Sequence, residues 1–324
     1  MADDFFDEAP AKVSLASGVY GLPEPNAPFY IYPPPPGIEL PKGHRGWKRM
    51  TNLVSAFSDQ KALQDWLTWK AMMGLRASDG LIYEEWMAEP AEALEPAAQR
   101  ELANAYAERA RNAAGNLDAA RRGTARHKMM DVYLTTGHET GTRSMAAQRR
   151  SAMAALDAAD LEVLESEFTV WHPACGGTVG RSDVKVLCRR TGQVGILDWK
   201  TQKRFWTFQE VCGQLTGYDQ APWIWRGPHT SEGQWVRQEP NTLTGHPDGE
   251  FADRRVALVA HMPQEPGPGQ LPVQLIEVDL EYGAQVIATA AENVRLRSIG
   301  KSVAIGRRTG AFRPAGVAPR AIAQ

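Results

Sequence analysis

Residues 179–218 read VGRSDVKVLCRRTGQVGILDWKTQKRFWTFQEVCGQLTGY, and their pattern is that of a β-hairpin followed by a helix. Val184, Val186 and Cys188 alternate with Lys185 and Leu187, the two-residue period of a strand. Arg189-Arg190-Thr191-Gly192 supplies a turn, and Val194, Ile196 and Leu197 lead back toward Asp198. The turn lies about midway between Asp183 and Asp198, so folding there brings both carboxylates to one end of an antiparallel ladder, within reach of one cation. Two acids at a strand end repel each other unless a metal ion or a proton relieves them.

Lys200 lies two positions beyond Asp198 and therefore on the same face of its strand. Two carboxylates and an ammonium suit phosphodiester hydrolysis: a hard divalent ion binds phosphate and water while the lysine offsets developing negative charge. Asp-x-Lys alone is far more often a surface salt bridge than a catalytic site. The residues that follow add weight. Thr207 and Glu210 fit a capping box, which predicts a helix carrying Val211, Gln214, Leu215 and Tyr218. Gln214 and Tyr218 are four apart and share a face.

These residues, in this order, resemble the RecB-like branch of the PD-(D/E)XK nuclease superfamily, which includes the CRISPR-associated RecB-like exonucleases and many phage exonucleases. That family shows a helix His in a Gly-Thr-x-x-His setting, then Gly-x-x-Asp, Asp/Glu-x-Lys and Gln-x-x-x-Tyr. Here the four are Gly123-Thr124-Ala125-Arg126-His127, Gly180-Arg181-Ser182-Asp183, Asp198-Trp199-Lys200, and Gln214 to Tyr218. The resemblance implies a restriction-endonuclease-like α/β fold, a mixed β-sheet core flanked by helices with an N-terminal helical region. It also implies a Mg²⁺- or Mn²⁺-dependent DNA nuclease, an exonuclease of phage-type recombination or replication. Carried over residue by residue, Asp183, Asp198, the Trp199 carbonyl and His127 would be metal ligands. Lys200 would be the catalytic lysine beside Asp183 and Asp198, and Gln214 with Tyr218 would support the site or contact DNA. Relatives often carry a Glu near Glu167, although one acid on a strand more commonly makes a salt bridge. Some relatives hold an iron–sulfur cluster on four cysteines; this chain has three, Cys175, Cys188 and Cys212, so no cluster is expected.

A second register is open. Gly177-Thr178-Val179-Gly180 matches a Gly-Thr-x-Asp form of the family motif with Gly180 in place of the acid. The Asp183 register is preferred because it sets the acid directly before the alternating run. If Gly180 held the ligand position, the chain would be a catalytically silent DNA-binding scaffold. A structure-specific or restriction-like endonuclease on the same core is the other alternative.

The whole chain has 324 residues, 43% of them hydrophobic, and a net charge of −2. A core of ordinary size is therefore expected, and nucleic acid is neither announced nor excluded, since a local basic groove suffices for phosphate contact. No apolar run approaches a membrane span and the start MADDFFDEAP is unlike a signal peptide, so a cytoplasmic location is expected. DNA is the expected partner, with a phage recombinase or single-strand annealing protein and a second copy of the chain as further candidates.

Four regions follow. Residues 1–50 are a Pro-rich flexible arm whose Phe29, Tyr30 and Tyr32 could dock elsewhere. Residues 51–160 are helical and carry His127; Ala62, Leu63, Trp66, Leu67 and Met73 recur at helical spacing and are expected in the core. Arg126 and its neighbouring cations are candidate phosphate contacts. Residues 161–300 form the nuclease core, with an insertion near 221–254 where Trp223, Trp225 and Trp235 either stack on bases or pack beneath a loop. Residues 301–324 are a basic flexible tail. At least one of Lys203 and Arg204, directly after the proposed site, is expected to touch DNA.

Overall fold

The structure, a computed structural model, describes residues 27–58, 60–90, 94–202, 208–263 and 272–308. Strands β1 (Phe29–Tyr30) and β2 (Trp47–Arg49) lead into helix α1 (Met50–Val54). Helices α2 (Gln60–Ala77), α3 (Leu81–Ala88), α4 (Pro96–Ala113), α5 (Asn116–Thr136) and α6 (Arg143–Ala158) follow. Then come β3 (Leu161–His172), β4 (Thr178–Cys188), β5 (Val194–Lys200), α7 (Phe208–Asp219), β6 (Trp223–Arg226), β7 (Gln234–Arg237), β8 (Val256–His261), β9 (Gln274–Asp279) and α8 (Leu280–Arg308).

The expected α/β architecture is present: among the described residues, nine strands form one mixed sheet flanked by helices. Its main path runs β7-β6-β3-β4-β5-β8-β9, with β2 pairing β4 in parallel and β1 joining β2. β3, β4 and β5 are an antiparallel meander, and β5 pairs β8 in parallel. The predicted turn closes through Gly192 N–H to Cys188 O at 2.8 Å, with Gly192 at φ 71°, a backbone conformation that glycine adopts without a Cβ penalty.

Alternation along the strands divides the core between the two faces of the sheet. Ile196, Ala257 and Val259 pack with α1, α7 and α8, whereas Leu197, Leu258 and Ala260 pack with Met129, Met130, Ala152 and Leu156 of α5 and α6. β8 is buried on both faces, which is why VALVAH reads as an unbroken apolar run. Gly115, at φ 72°, separates α4 from α5, whereas Gly123 continues α5 without a break. Among the described residues no helix is long and apolar enough to cross a membrane.

Several expectations are corrected. Residues 27–50, read as part of a loose arm, are docked: Tyr30, Tyr32 and Trp47 are buried with Trp171, Trp223, Trp225 and Trp235. The indole N–H groups of Trp47 and Trp235 donate to Tyr32 O at 3.0 Å and Pro33 O at 2.7 Å. The same cluster removes Trp223, Trp225 and Trp235 from base stacking. Residues 221–254, read as a loop, contain β6 and β7, which extend the sheet beyond β3; four-residue strands are too short to show a clear period. Trp66 and Met73, expected in the core, are exposed. Helix α8 continues to Arg308, so residues 301–308, expected to belong to a flexible tail, are helical. The side chains of Ala62 and Leu63, and residues 1–26, 203–207 and 309–324, lie outside what is described.

At the end of α7, Asp219 is buried and ion-paired with the half-exposed Arg255. Burial pushes its carboxyl up to about 6 against the pull of Arg255. The folded state thus holds this proton more tightly than the unfolded chain. Its contribution is fully present below the unfolded value near 4 and is lost as pH rises through about 6, on the order of 3 kcal/mol in all. Between pH 4 and 7, urea denaturation of Asp219→Asn is therefore expected to show a stability loss smaller than that of the wild type by about 2–3 kcal/mol. Parallel curves for the two proteins would refute this.

Candidate active site

The last residues paired between β4 and β5 at this end are Val184 and Leu197. Asp183 and Asp198 are the next residue on each strand, so the hairpin brings the two acids to the same end of the ladder. Asp183 Oδ2 then accepts the Trp199 N–H at 2.8 Å, a side chain taking over a backbone donor where the ladder ends. Pairing with β8 holds the other strand, through Asp198 beside Val259 and Lys200 beside His261, and Met262 N–H donates to Lys200 O at 2.7 Å.

Helix α5 adds the third component. A Cβ on Gly123 would come within 3.0 Å of Thr201 Oγ1, so glycine lets the helix lie against the end of β5. One turn later His127 Nδ1 is 3.2 Å from Asp183 Oδ2. Lys200 Nζ is ion-paired with Asp198 Oδ2. That ammonium apart, Asp198 Oδ2 has no hydrogen-bond partner among the described residues, although the residue is only 2% exposed.

The charges of this cluster hold one another in place. Burial pushes the Asp198 carboxyl up to about 6, with Lys200 opposing and Asp183 adding to the rise. Asp183 goes the other way: burial would raise it, but His127, Lys200 and the Trp199 N–H together bring it below the usual carboxylate range. Burial would lower His127 and Lys200, yet Asp183 raises the imidazole and Asp198 raises the ammonium, so each ends above its ordinary value. The paired acids are thus driven apart in acidity, with Asp183 the more firmly ionised.

Tyr218 and Gln214 form the adjoining wall. The Gln214 amide donates to the Tyr218 hydroxyl at 2.9 Å, and the Tyr218 ring lies over Gly180, where a Cβ would be 2.1 Å from Cε1. The position that the second register assigned to a ligand is therefore occupied by contact with an aromatic ring, and Asp183 is the acid placed opposite Asp198. Beside this wall lies a pocket of about 140 Å³ whose lining includes Tyr30, Arg49, Arg181, Gln214 and Tyr218.

The remaining sequence candidates divide. Trp199 is buried in the core on the α5 side of the sheet, leaving its backbone at the site. Glu167 is ion-paired with Arg181 and stands at φ 54°, a strained conformation for a non-glycine residue. Its carboxyl is raised, first by burial, with Arg181 opposing and Asp183 and Asp131 adding to the rise. Arg126 is only 7% exposed; it donates to Gln148 Oε1 at 2.7 Å and Arg122 O at 3.2 Å. It ties α5 to α6 rather than presenting a cation to phosphate. Lys203 and Arg204 lie outside the described residues. His246 and Asp248 lie 3.9 Å apart on an exposed turn.

Sequence reasoning missed Asp131, which accepts from Ser166 Oγ at 2.9 Å and bears on Glu167. Its signal was the four-residue spacing from His127 on one helix face. Arg49 was missed because its segment read as a loose arm.

The donors suit a hard divalent cation: two carboxylate groups and a backbone carbonyl at the end of a hairpin. The observation that favours this fit is the buried Asp198 Oδ2, met among the described residues by the Lys200 ammonium alone and facing a second carboxylate, Asp183. Among the described residues no three His, Cys, Asp or Glu side chains form a group that could hold a metal ion, and His127 is turned onto Asp183. Such an ion would rest on Asp183, Asp198 and the Trp199 carbonyl, with water completing its shell as Mg²⁺ commonly retains it. No protein-family model matches the chain, and no curated protein matches it.

Proposed function

We propose that the chain is a divalent-metal-dependent DNA nuclease of the RecB-like PD-(D/E)XK kind, acting as an exonuclease in phage-type recombination or replication. The observation that carries this reading is the meeting of three separated segments at one point: Asp183 and Asp198 across the end of β4 and β5, Lys200 on Asp198, and His127 on Asp183.

Asp183 and Asp198 would hold Mg²⁺ or Mn²⁺ with the Trp199 carbonyl. When bound, the ion supplies a more acidic water and neutralises phosphate charge. The protein's own part is positional and electrostatic. Lys200 remains an ammonium because Asp198 raises it, and it offers a fixed positive charge to the oxygens on which negative charge develops. His127 keeps Asp183 ionised. Gln214 fixes the Tyr218 hydroxyl, giving the site a rigid wall.

The test is hydrolysis of end-labelled linear DNA and of covalently closed circular DNA with Mg²⁺, Mn²⁺ or EDTA, for the wild type and Asp198→Asn. Loss of the linear DNA alone, dependent on metal and absent in the variant, is the expected result. Cutting of the circle would make the protein an endonuclease on the same chemistry. Binding without hydrolysis under every metal would overturn the enzymatic reading in favour of a silent scaffold.

A further inference from the structure

Helix α2 has two faces of unusual character. Leu67, Ala71, Gly74, Leu75 and Ser78 recur at the spacing of one helical stripe and are at least half-buried. This stripe packs on α4 so closely that a Cβ on Gly74 would meet Ala110 O at 1.6 Å. The opposite face carries Trp66, Trp69, Met72 and Met73 within roughly a third of the helix circumference, and they are 44%, 55%, 62% and 40% exposed. Lys70 holds the two indoles in place: its Nζ donates to Ala114 O at 3.1 Å and stands 5.9 Å and 5.5 Å from the ring centroids of Trp66 and Trp69.

We infer that this face of α2 is a two-fold interface with a second copy of the same chain, the helices crossing antiparallel about a point between Lys70 and Ala71. The charge order along the helix selects that occupant. An axis at this point sets Trp69 against the partner's Met72 and Trp66 close to the partner's Met73. It sets Asp65, which pairs with Lys61 of its own helix at 2.6 Å, against the partner's Arg76. Each contact occurs twice, as an isologous interface requires. A parallel pairing would oppose Asp65 to Asp65 and Arg76 to Arg76.

Area agrees. At 150–250 Å² for a large aromatic side chain, the stripe exposes roughly 400 Å² per copy. Two copies therefore bury roughly 800 Å², and α3, which follows directly and exposes Tyr83, Trp86 and Met87, adds area toward the 1,200–2,000 Å² of a specific interface. Aromatic residues and methionine with few charges are the composition of an interface centre.

The test is sedimentation equilibrium of the full chain at micromolar concentration, with folding checked by circular dichroism. The wild type is expected at the mass of two copies. Trp69→Glu is expected to weaken association by at least about 30-fold, the effect of losing a central tryptophan, as the exposed side chain leaves the fold intact. Arg76→Asp also dissociates the pair, and Asp65→Arg with Arg76→Asp restores it by exchanging the charges across the axis. A monomeric wild type would overturn the inference. So would a dimer indifferent to Trp69→Glu, a double variant that stays dissociated, or a Trp69→Glu protein that loses DNA binding while keeping its mass.

Discussion

Lys200→Met is expected to lower the single-turnover rate of DNA hydrolysis by about 10²–10³-fold, the usual consequence of removing one fixed donor from developing phosphate or oxyanion charge. The side chain is only 18% exposed and is held on Asp198, so no solvent cation of equal placement replaces it. The substitution also leaves a buried carboxylate without its counter-charge, which is strongly destabilising when the group cannot escape. Asp198 can escape by taking up a proton, because its carboxyl already lies at about 6. Protonating such a group at pH 8 costs about 1.4 kcal/mol per unit, which caps the stability loss of Lys200→Met near 3 kcal/mol at pH 8. Below pH 6 the loss becomes small. Asp198→Asn combined with Lys200→Met removes both charges together, so stability at pH 8 is expected to return while hydrolysis remains lost. Urea denaturation beside single-turnover kinetics separates the two effects. A double variant that regains stability and also hydrolyses DNA at the wild-type rate would reduce Lys200 to a counter-ion for Asp198.

The hairpin was legible because its signals are local. Val184, Val186 and Cys188 fall on one face, Gly192 supplies the turn, and the ladder runs in the register that this turn dictates. The placing of Asp183 opposite Asp198 followed from counting. The helix carrying Gln214 and Tyr218 was equally local, and so was the spacing of His127 from Gly123. What could not be read was set by contacts distant in sequence. Tyr32 is buried only because Trp225 and Trp235 come to it from about 200 residues away, and neither periodicity nor proline content in residues 27–50 reports that. Trp66 and Met73 show the converse error. Helical spacing identifies a stripe but not which neighbour covers it, and the face that α4 covers is the one built around the small Gly74. Arg126 carries a charge that suggests a surface, yet Gln148 on α6 takes its guanidinium into the interior.

Gly180→Ala is the substitution expected to disturb both fold and site most for its size. The added methyl would lie 2.1 Å from Cε1, 2.9 Å from Cδ1 and 3.0 Å from Cζ of Tyr218, and no rotation about one ring bond clears all three. Tyr218 is itself only 2% exposed and packed within the core formed with α1 and α8, so the ring cannot move into solvent. Overpacking a core typically costs 1–3 kcal/mol, and an enclosed ring places this case at about 3 kcal/mol, a fall in Tm on the order of 4–5 °C for a chain of this length. Gly180 is also paired with Val170 in β3, so the backbone cannot retreat without loosening the strand that leads to Asp183. The Tyr218 hydroxyl would leave the Gln214 amide, and hydrolysis is expected to fall with stability. Adding Tyr218→Leu to Gly180→Ala opens the space that the methyl needs, and at least half of the lost stability is expected to return in calorimetry. Because the Tyr218 hydroxyl is absent from that double variant, hydrolysis is expected to stay low if the wall shapes the site. Recovery of both together would confine Tyr218 to packing. A Gly180→Ala protein that melts at the wild-type temperature would show that the ring does not rest on Gly180, and would reopen that position to the second register.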